Sequence, residues 1–154
     1  MRVSTLWFLF SEFVFNFFVP VLGISSKSWY LSTWQTTWYK AVEDCKKYGM
    51  KLATFGSEKA ESDKLLNSYK SSNTAFIGYT DKGHEGTFTT MEGERLQFRL
   101  NFHTNEPNNY GGLEDCLEIK NSYEGIKYND VGCYLNKPII CEFETQTIRL
   151  PEAE

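Results

Sequence analysis

Glu106-Pro107-Asn108 is followed at short range by Glu114 and Asp115, and after the next turn of chain by Asn129-Asp130. Carboxylates and carboxamides therefore gather around one proline-fixed loop. Oxygen-only side chains in that number suit a hard cation such as Ca2+, which takes about 6–8 oxygens at roughly 2.4 Å. Histidine and thiolate ligands, which favour zinc or copper, are not part of the cluster. The stretch reads as a calcium site on an irregular loop.

The 154 residues suffice for one domain with a real core. Residues 1–23 have a different character. Arg2 precedes Leu6-Trp7-Phe8-Leu9-Phe10, Phe13-Val14-Phe15 and Phe17-Phe18-Val19, and the run ends at Val21-Leu22-Gly23. A basic start, an apolar run and a small residue near a cut site describe a secretory signal peptide. Glu12 and Asn16 interrupt the apolar stretch and would be costly in lipid, which disfavours the alternative of a spanning anchor. The expectation is cleavage near Gly23, a secreted extracellular product, and no membrane insertion afterwards.

Secretion gives the cysteines their meaning. Cys45, Cys116, Cys133 and Cys141 contain no Cys-x-x-Cys pair, which argues against structural zinc. An even count in an oxidising compartment favours two disulfides, and spacing alone leaves three pairings open. The net charge of −4 argues against nucleic acid or an anionic membrane surface as partner. No Asn-x-Ser/Thr sequon is present, so N-glycosylation is not expected. No internal repeat or interdomain linker is evident, and Thr145 to Glu154 reads as a loose tail. The domain thus occupies residues 24–144.

The periodicity predicts two helices among strands and long loops. Ser28 to Leu31 reads as a short strand. Thr36 or Thr37 can cap a helix with an apolar face of Trp38, Ala41, Val42, Cys45 and Tyr48, which Gly49 stops. Leu52 to Phe55 is extended, and Ser57-Glu58 opens a second helix through Leu65, Leu66 and Tyr69. Thr74 to Tyr79 reads as a buried strand; Cys116 to Ile119, Ile126 to Val131 and Ile139 to Phe143 read as the last strands. Between them, Thr80 to Glu114 is rich in Gly, Asn, Thr and charge, a length of loop that is usually functional. Trp29, Trp34 and Trp38 are assigned to packing, and His84 and His103 to surface loops.

Phe76-Ile77-Gly78-Tyr79, Glu106-Pro107-Asn108 and Tyr128-Asn129-Asp130 follow one another in order, among the four cysteines. On these motifs the chain from about Ser28 to Glu144 resembles a C-type lectin domain of the short form, where the first is Trp-Ile-Gly-Leu, the second is the same and the third is Trp-Asn-Asp. The resemblance implies an α+β double-loop fold, with two helices on small antiparallel sheets below a long calcium-binding loop. It also implies the bridges Cys45–Cys141 and Cys116–Cys133, and a cis peptide at Pro107. The principal calcium would be held by Glu106, Asn108, Glu114, Asn129 and Asp130. An accessory calcium would take Asp81, Glu85, Asp115 and Asn109, the last standing where an Asp is usual.

The implied activity is calcium-dependent carbohydrate binding. Two neighbouring sugar hydroxyls complete the ion's coordination, donate to carboxylates such as Glu106 or Glu114, and accept from amides such as Asn108 or Asn129. Glu-Pro-Asn resembles the mannose-type motif. Tyr110 before Gly111-Gly112 instead resembles the aromatic loop of galactose-type members, so galactose is the alternative. A lectin-fold module that binds protein is a third reading. Catalysis is not expected, because carboxylates sharing one ion stay ionised and cannot serve as a general acid. Weak single sites would call for several copies, so a homo-oligomer would supply avidity.

Overall fold

Residues 27–54, 74–97 and 99–144 are described by the computed structural model. The expected signal peptide (1–23), second helix (57–69) and tail (145–154) lie outside them. Among the described residues no helix is long and apolar enough to cross a membrane.

Helix α1, Trp38–Lys47, follows from the spacing of Trp38, Ala41 and Cys45, all fully buried. Thr37 takes the N-cap position in an extended conformation, without a side-chain cap bond. At the other end Gly49 sits at φ 68°. Its N–H donates to Lys46 O (3.0 Å) and that of Met50 to Cys45 O (3.0 Å). This Schellman arrangement needs the left-handed conformation that glycine adopts without strain. Tyr48 departs from the apolar face assigned to it. The helix ends at Lys47, and Tyr48 at the C-cap is 64% exposed.

Among the described residues six strands form two antiparallel sheets. In the first, β1 (Lys27–Leu31) and β2 (Lys51–Leu52) flank β6 (Ile140–Glu144), bringing the chain ends of the domain together. In the second, β4 (Cys116–Ser122) lies between β3 (Thr74–Thr80) and β5 (Gly125–Val131). Phe76 N–H donates to Pro138 O (2.9 Å) and Gly78 N–H to Ala53 O (2.9 Å), joining the two sheets along β3. A Cβ at Gly78 would lie 2.8 Å from Leu52 O, so this seam admits only glycine without displacement.

Two apolar clusters result. One gathers Trp38, Cys45, Phe76 and Ile139 under α1, where Trp38 Nε1–H donates to Ile77 O (2.7 Å). The other centres on Ile77, Leu117, Ile119 and Ile140 and extends to Phe88 and Leu100. Phe88 and Leu100 belong to the long loop, which is therefore pinned to the core at several points. Both bridges form, Cys45–Cys141 across 96 residues and Cys116–Cys133 across 17. Glu142 is fully buried and accepts from Thr54 N–H (2.9 Å) and Oγ1–H (2.8 Å), with Lys27 and Lys51 at 3.7 and 3.4 Å.

Candidate functional site

The second sheet sets the site. β3 delivers Asp81 just past its end, β4 begins one residue after Asp115, and β5 carries Asn129 and Asp130. Asp81 N–H and Thr80 Oγ1–H both donate to Asp115 O, at 3.1 and 2.6 Å, which locks the two strand ends together. The loop returns along the outer edge of β5: Tyr128 N–H donates to Asn101 O (3.1 Å) and His103 N–H to Tyr128 O (2.8 Å). That edge contact brings Glu106-Pro107-Asn108 beside Asn129-Asp130. The Glu106–Pro107 bond is cis, and Asn105 and Asn109 on either side have φ of 68° and 42°.

Asp130, 1% exposed, ties the loop to the sheet. Its carboxylate accepts from Asn108 N–H (3.2 Å) and Asn109 N–H (2.7 Å). Glu114 closes the same loop, accepting from Tyr110 N–H (2.8 Å) while its own N–H donates to Asn109 Oδ1 (3.1 Å). Tyr110–Gly112 forms a single 3-10 turn and leaves the Tyr110 ring 79% exposed.

Among the described residues four buried acceptor oxygens find no hydrogen-bond donor: Glu118 Oε2, which the Lys137 ammonium compensates at 2.7 Å, and Glu106 Oε2, Asn129 Oδ1 and Asp81 Oδ1, which gather at this site without such a cation. Such groups normally carry a desolvation cost of about 1–3 kcal/mol each. Their surroundings make this more acute. Burial and then the Asp130 carboxylate raise Glu106 above the usual carboxylate range, and Glu114 adds to the effect. Asp81, Glu85 and Asp115 bring carboxylate oxygens within 4.8 Å of one another. Asp81 is raised by burial, opposed by the Gly86 N–H that donates to it at 2.8 Å, and raised further by Asp115 and Asp130. Glu85 is raised by burial, then by Asp81 and Asp130. Like charges at this separation favour a proton or a cation among them.

The fold therefore brings Glu106, Asn108, Glu114, Asn129 and Asp130 into one loop-and-strand neighbourhood, with Asp81, Glu85 and Asp115 beside it. Asn109 bridges the two groups. Its Nδ2–H donates to Glu85 Oε2, while its oxygen is engaged by Glu114.

A family comparison decides the wider assignment: the Lectin C-type domain matches residues 34–143. The chain belongs to the C-type lectin domain family. It is 31% identical over 116 residues to the CD209 antigen of Papio hamadryas, covering 74% of this chain and 31% of that one. To C-type lectin domain family 4 member M of Hylobates lar it is 30% identical over 123 residues, covering 79% and 30%. The chain thus spans about a third of the length of these curated relatives. Its fold is similar to the C-type lectin domain of murine dendritic cell inhibitory receptor 2, solved with an N-glycan. The TM-score is 0.67 at 22% identity, covering 78% of this chain and 92% of that one. The cow CD23 carbohydrate-recognition domain, studied with a GlcNAc2Man3 oligosaccharide, gives a TM-score of 0.68 at 24% identity, covering 79% and 90%.

The sequence reading of this C-type lectin domain passed over Glu118. It sits opposite Asn129 in the β4–β5 register and is 3% exposed. Glu118 Oε1 accepts from Asn129 Nδ2–H (3.2 Å), and Lys137 Nζ lies 2.7 Å from Oε2. Holding the carboxamide nitrogen fixes which way Asn129 Oδ1 faces. The signal was available: a Glu inside the apolar run Cys116 to Ile119, directly across from an Asn.

Proposed function

We propose that this chain is a calcium-dependent carbohydrate-binding protein of mannose type, secreted to the extracellular space and devoid of catalytic activity. The observation that carries the reading is the set of donorless buried oxygens, Glu106 Oε2, Asn129 Oδ1 and Asp81 Oδ1, among mutually repelling carboxylates. A donor set made only of carboxylate and carboxamide oxygens fits a hard divalent cation. Glu106, Asn108, Glu114, Asn129 and Asp130 would hold the principal calcium; Asp81, Glu85 and Asp115, with Asn109 beside them, would hold the accessory one. When bound, calcium supplies open coordination positions for two vicinal sugar hydroxyls.

The side chains do the rest. Glu106 and Glu114 accept hydrogen bonds from the sugar hydroxyls, and the Asn108 and Asn129 amides donate to them. This order of acceptors and donors suits equatorial 3- and 4-hydroxyls, as in mannose and N-acetylglucosamine. The same carboxylates stay ionised beside a cation, so none is available as a general acid for glycoside cleavage. Two disulfides and the apolar amino-terminal stretch support an oxidising, extracellular destination. A homo-oligomer would raise the weak affinity of each site by avidity.

One observation favours galactose instead. The Tyr110 ring stands 79% exposed at the edge of the site, followed by Gly111 and Gly112, where it can pack on the apolar face of a sugar. Such a contact is worth about 0.5–1.5 kcal/mol by analogy with aromatic pairs, against about 1–3 kcal/mol for each misplaced donor or acceptor. The motif therefore outweighs the ring. The test is retention on immobilised mannose in calcium, with elution by chelator or by free sugars. Mannose should elute better than galactose, and Glu106→Ala should not be retained. Retention that survives the chelator would overturn the proposal, and preferential elution by galactose would reassign the sugar.

A further inference from the structure

A cavity of about 710 Å³ opens beside Glu106 and Pro107, with Arg99, Leu100, Asn101 and Phe102 as its other walls. Small-molecule sites span roughly 300–1,000 Å³, so the hollow exceeds what two hydroxyls held at Glu106 would occupy. Its walls are fixed. Leu100 is buried, and Phe102 lies 6.1 Å from Phe88, centroid to centroid. Asn101 is held through its carbonyl by Tyr128 N–H and through Oδ1 by Lys127 Nζ (3.2 Å).

The charges differ in kind. Lys127 is paired with Glu124 at 3.0 Å, whereas Arg99 is exposed and makes no ion pair among the described residues. Its planar guanidinium fork matches a sulfate or a carboxylate. Glu106 lines the same cavity and would repel such a group while unneutralised.

We propose that this cavity is a second subsite, which takes the sugar residue adjoining the one held at Glu106, and that Arg99 selects a residue bearing a sulfate or a carboxylate. The inference rests on the sugar site proposed above, because it needs the first residue seated at Glu106. It also makes the acidic preference calcium-dependent, since the cation offsets the Glu106 charge. Apolar contact with Leu100 and Phe102 serves the ring, and Arg99 reads the substituent.

The experiment uses the full chain in calcium, in competition against an immobilised sugar. Methyl α-mannoside and methyl β-galactoside come first. The better of the two is then extended by a second residue that is neutral, 6-sulfated or a uronic acid. Arg99→Ala should leave the monosaccharide result unchanged. In the wild-type protein at least one acidic disaccharide should outcompete the neutral one by about two- to fivefold, the worth of one exposed ion pair. That advantage should vanish in Arg99→Ala, persist in part in Arg99→Lys, and shrink in high salt. Monosaccharide binding with no acidic advantage, or an advantage that survives Arg99→Ala, overturns the subsite and leaves the first site standing. Retention of neither monosaccharide overturns the first site and this proposal with it.

Discussion

Glu118→Leu separates the orientation of Asn129 from the general stability of the sheet. Glu118 is 3% exposed and holds two partners, Asn129 Nδ2–H at 3.2 Å and Lys137 Nζ at 2.7 Å. Leucine matches its bulk but accepts nothing. Removing one member of a buried ion pair costs about 3–5 kcal/mol. Lys137 Nζ also donates to Thr74 Oγ1 (3.2 Å) and its side chain retains 18% exposure, so the ammonium left behind is partly compensated and the lower end, about 3 kcal/mol, is expected. That is survivable for a domain with roughly 5–15 kcal/mol of stability. Lys137→Met is the matched control: it removes the same ion pair but leaves Glu118 to hold Asn129. Loss of a group that orients a metal ligand typically weakens metal binding about 10–100-fold. Urea unfolding should therefore show comparable destabilisation in both variants. Calcium titration by tryptophan fluorescence should show weakened binding only in Glu118→Leu. Equal calcium affinity in a folded Glu118→Leu, or equal weakening in Lys137→Met, would refute the idea that Glu118 acts through Asn129.

Three further outcomes are expected. Chain-entropy bookkeeping over 96 and 17 residues gives roughly 4–5 kcal/mol for Cys45–Cys141 and about 3 kcal/mol for Cys116–Cys133. Denaturant melts of Cys141→Ser and Cys133→Ser should follow that order, with calcium affinity falling more in Cys133→Ser. Glu106, Asp81 and Glu85 are raised above their usual values of 4.5, 3.8 and 4.5, so the metal-free fold binds extra protons relative to the unfolded chain. These groups thus oppose folding at neutral pH, and that opposition is lost as pH falls through their raised values. Protons also compete with calcium, so the melting temperature gained on adding calcium should shrink steadily from about pH 7 towards about pH 4.5, near the usual carboxylate range. A gain constant across that range, measured by scanning calorimetry, would show that these carboxylates do not bind the ion. Tyr110→Ala should weaken galactose competition several-fold, the equivalent of about 1 kcal/mol, and mannose competition less; equal loss for both would remove the ring from sugar selection.

Much of the framework was legible because local chemistry and tertiary packing agree. Trp38, Ala41 and Cys45 at helical spacing, with Gly49 able to adopt φ 68°, set α1 to within a residue. The apolar run Thr74 to Tyr79 became β3, extended by Thr80. Tyr48 misled because periodicity continues past the residue where the backbone turns; its ring instead lies 6.4 Å from Trp34 on the surface. Phe88 and Leu100 escaped notice because loop residues that anchor into a core obey no period. Glu118 and Glu142 drew no assignment from the sequence, yet both are buried, since lysines from other segments neutralise them. Pairing across segments is invisible to spacing along one. The cluster around Glu106 was visible for the opposite reason. Its oxygens lie close in sequence, and the return of the loop along β5 needed only to bring two segments together.

The central claim is that cation and sugar bind as one event on shared side chains. Binding linkage makes this measurable, because a sugar that contacts the ion must tighten calcium exactly as much as calcium tightens the sugar. The direct measurement is the calcium dissociation constant with and without saturating methyl α-mannoside, by fluorescence titration of the full chain. Calcium should bind markedly more tightly in the presence of the sugar, and Asn129→Ala should abolish that gain. A calcium affinity indifferent to the sugar would contradict it.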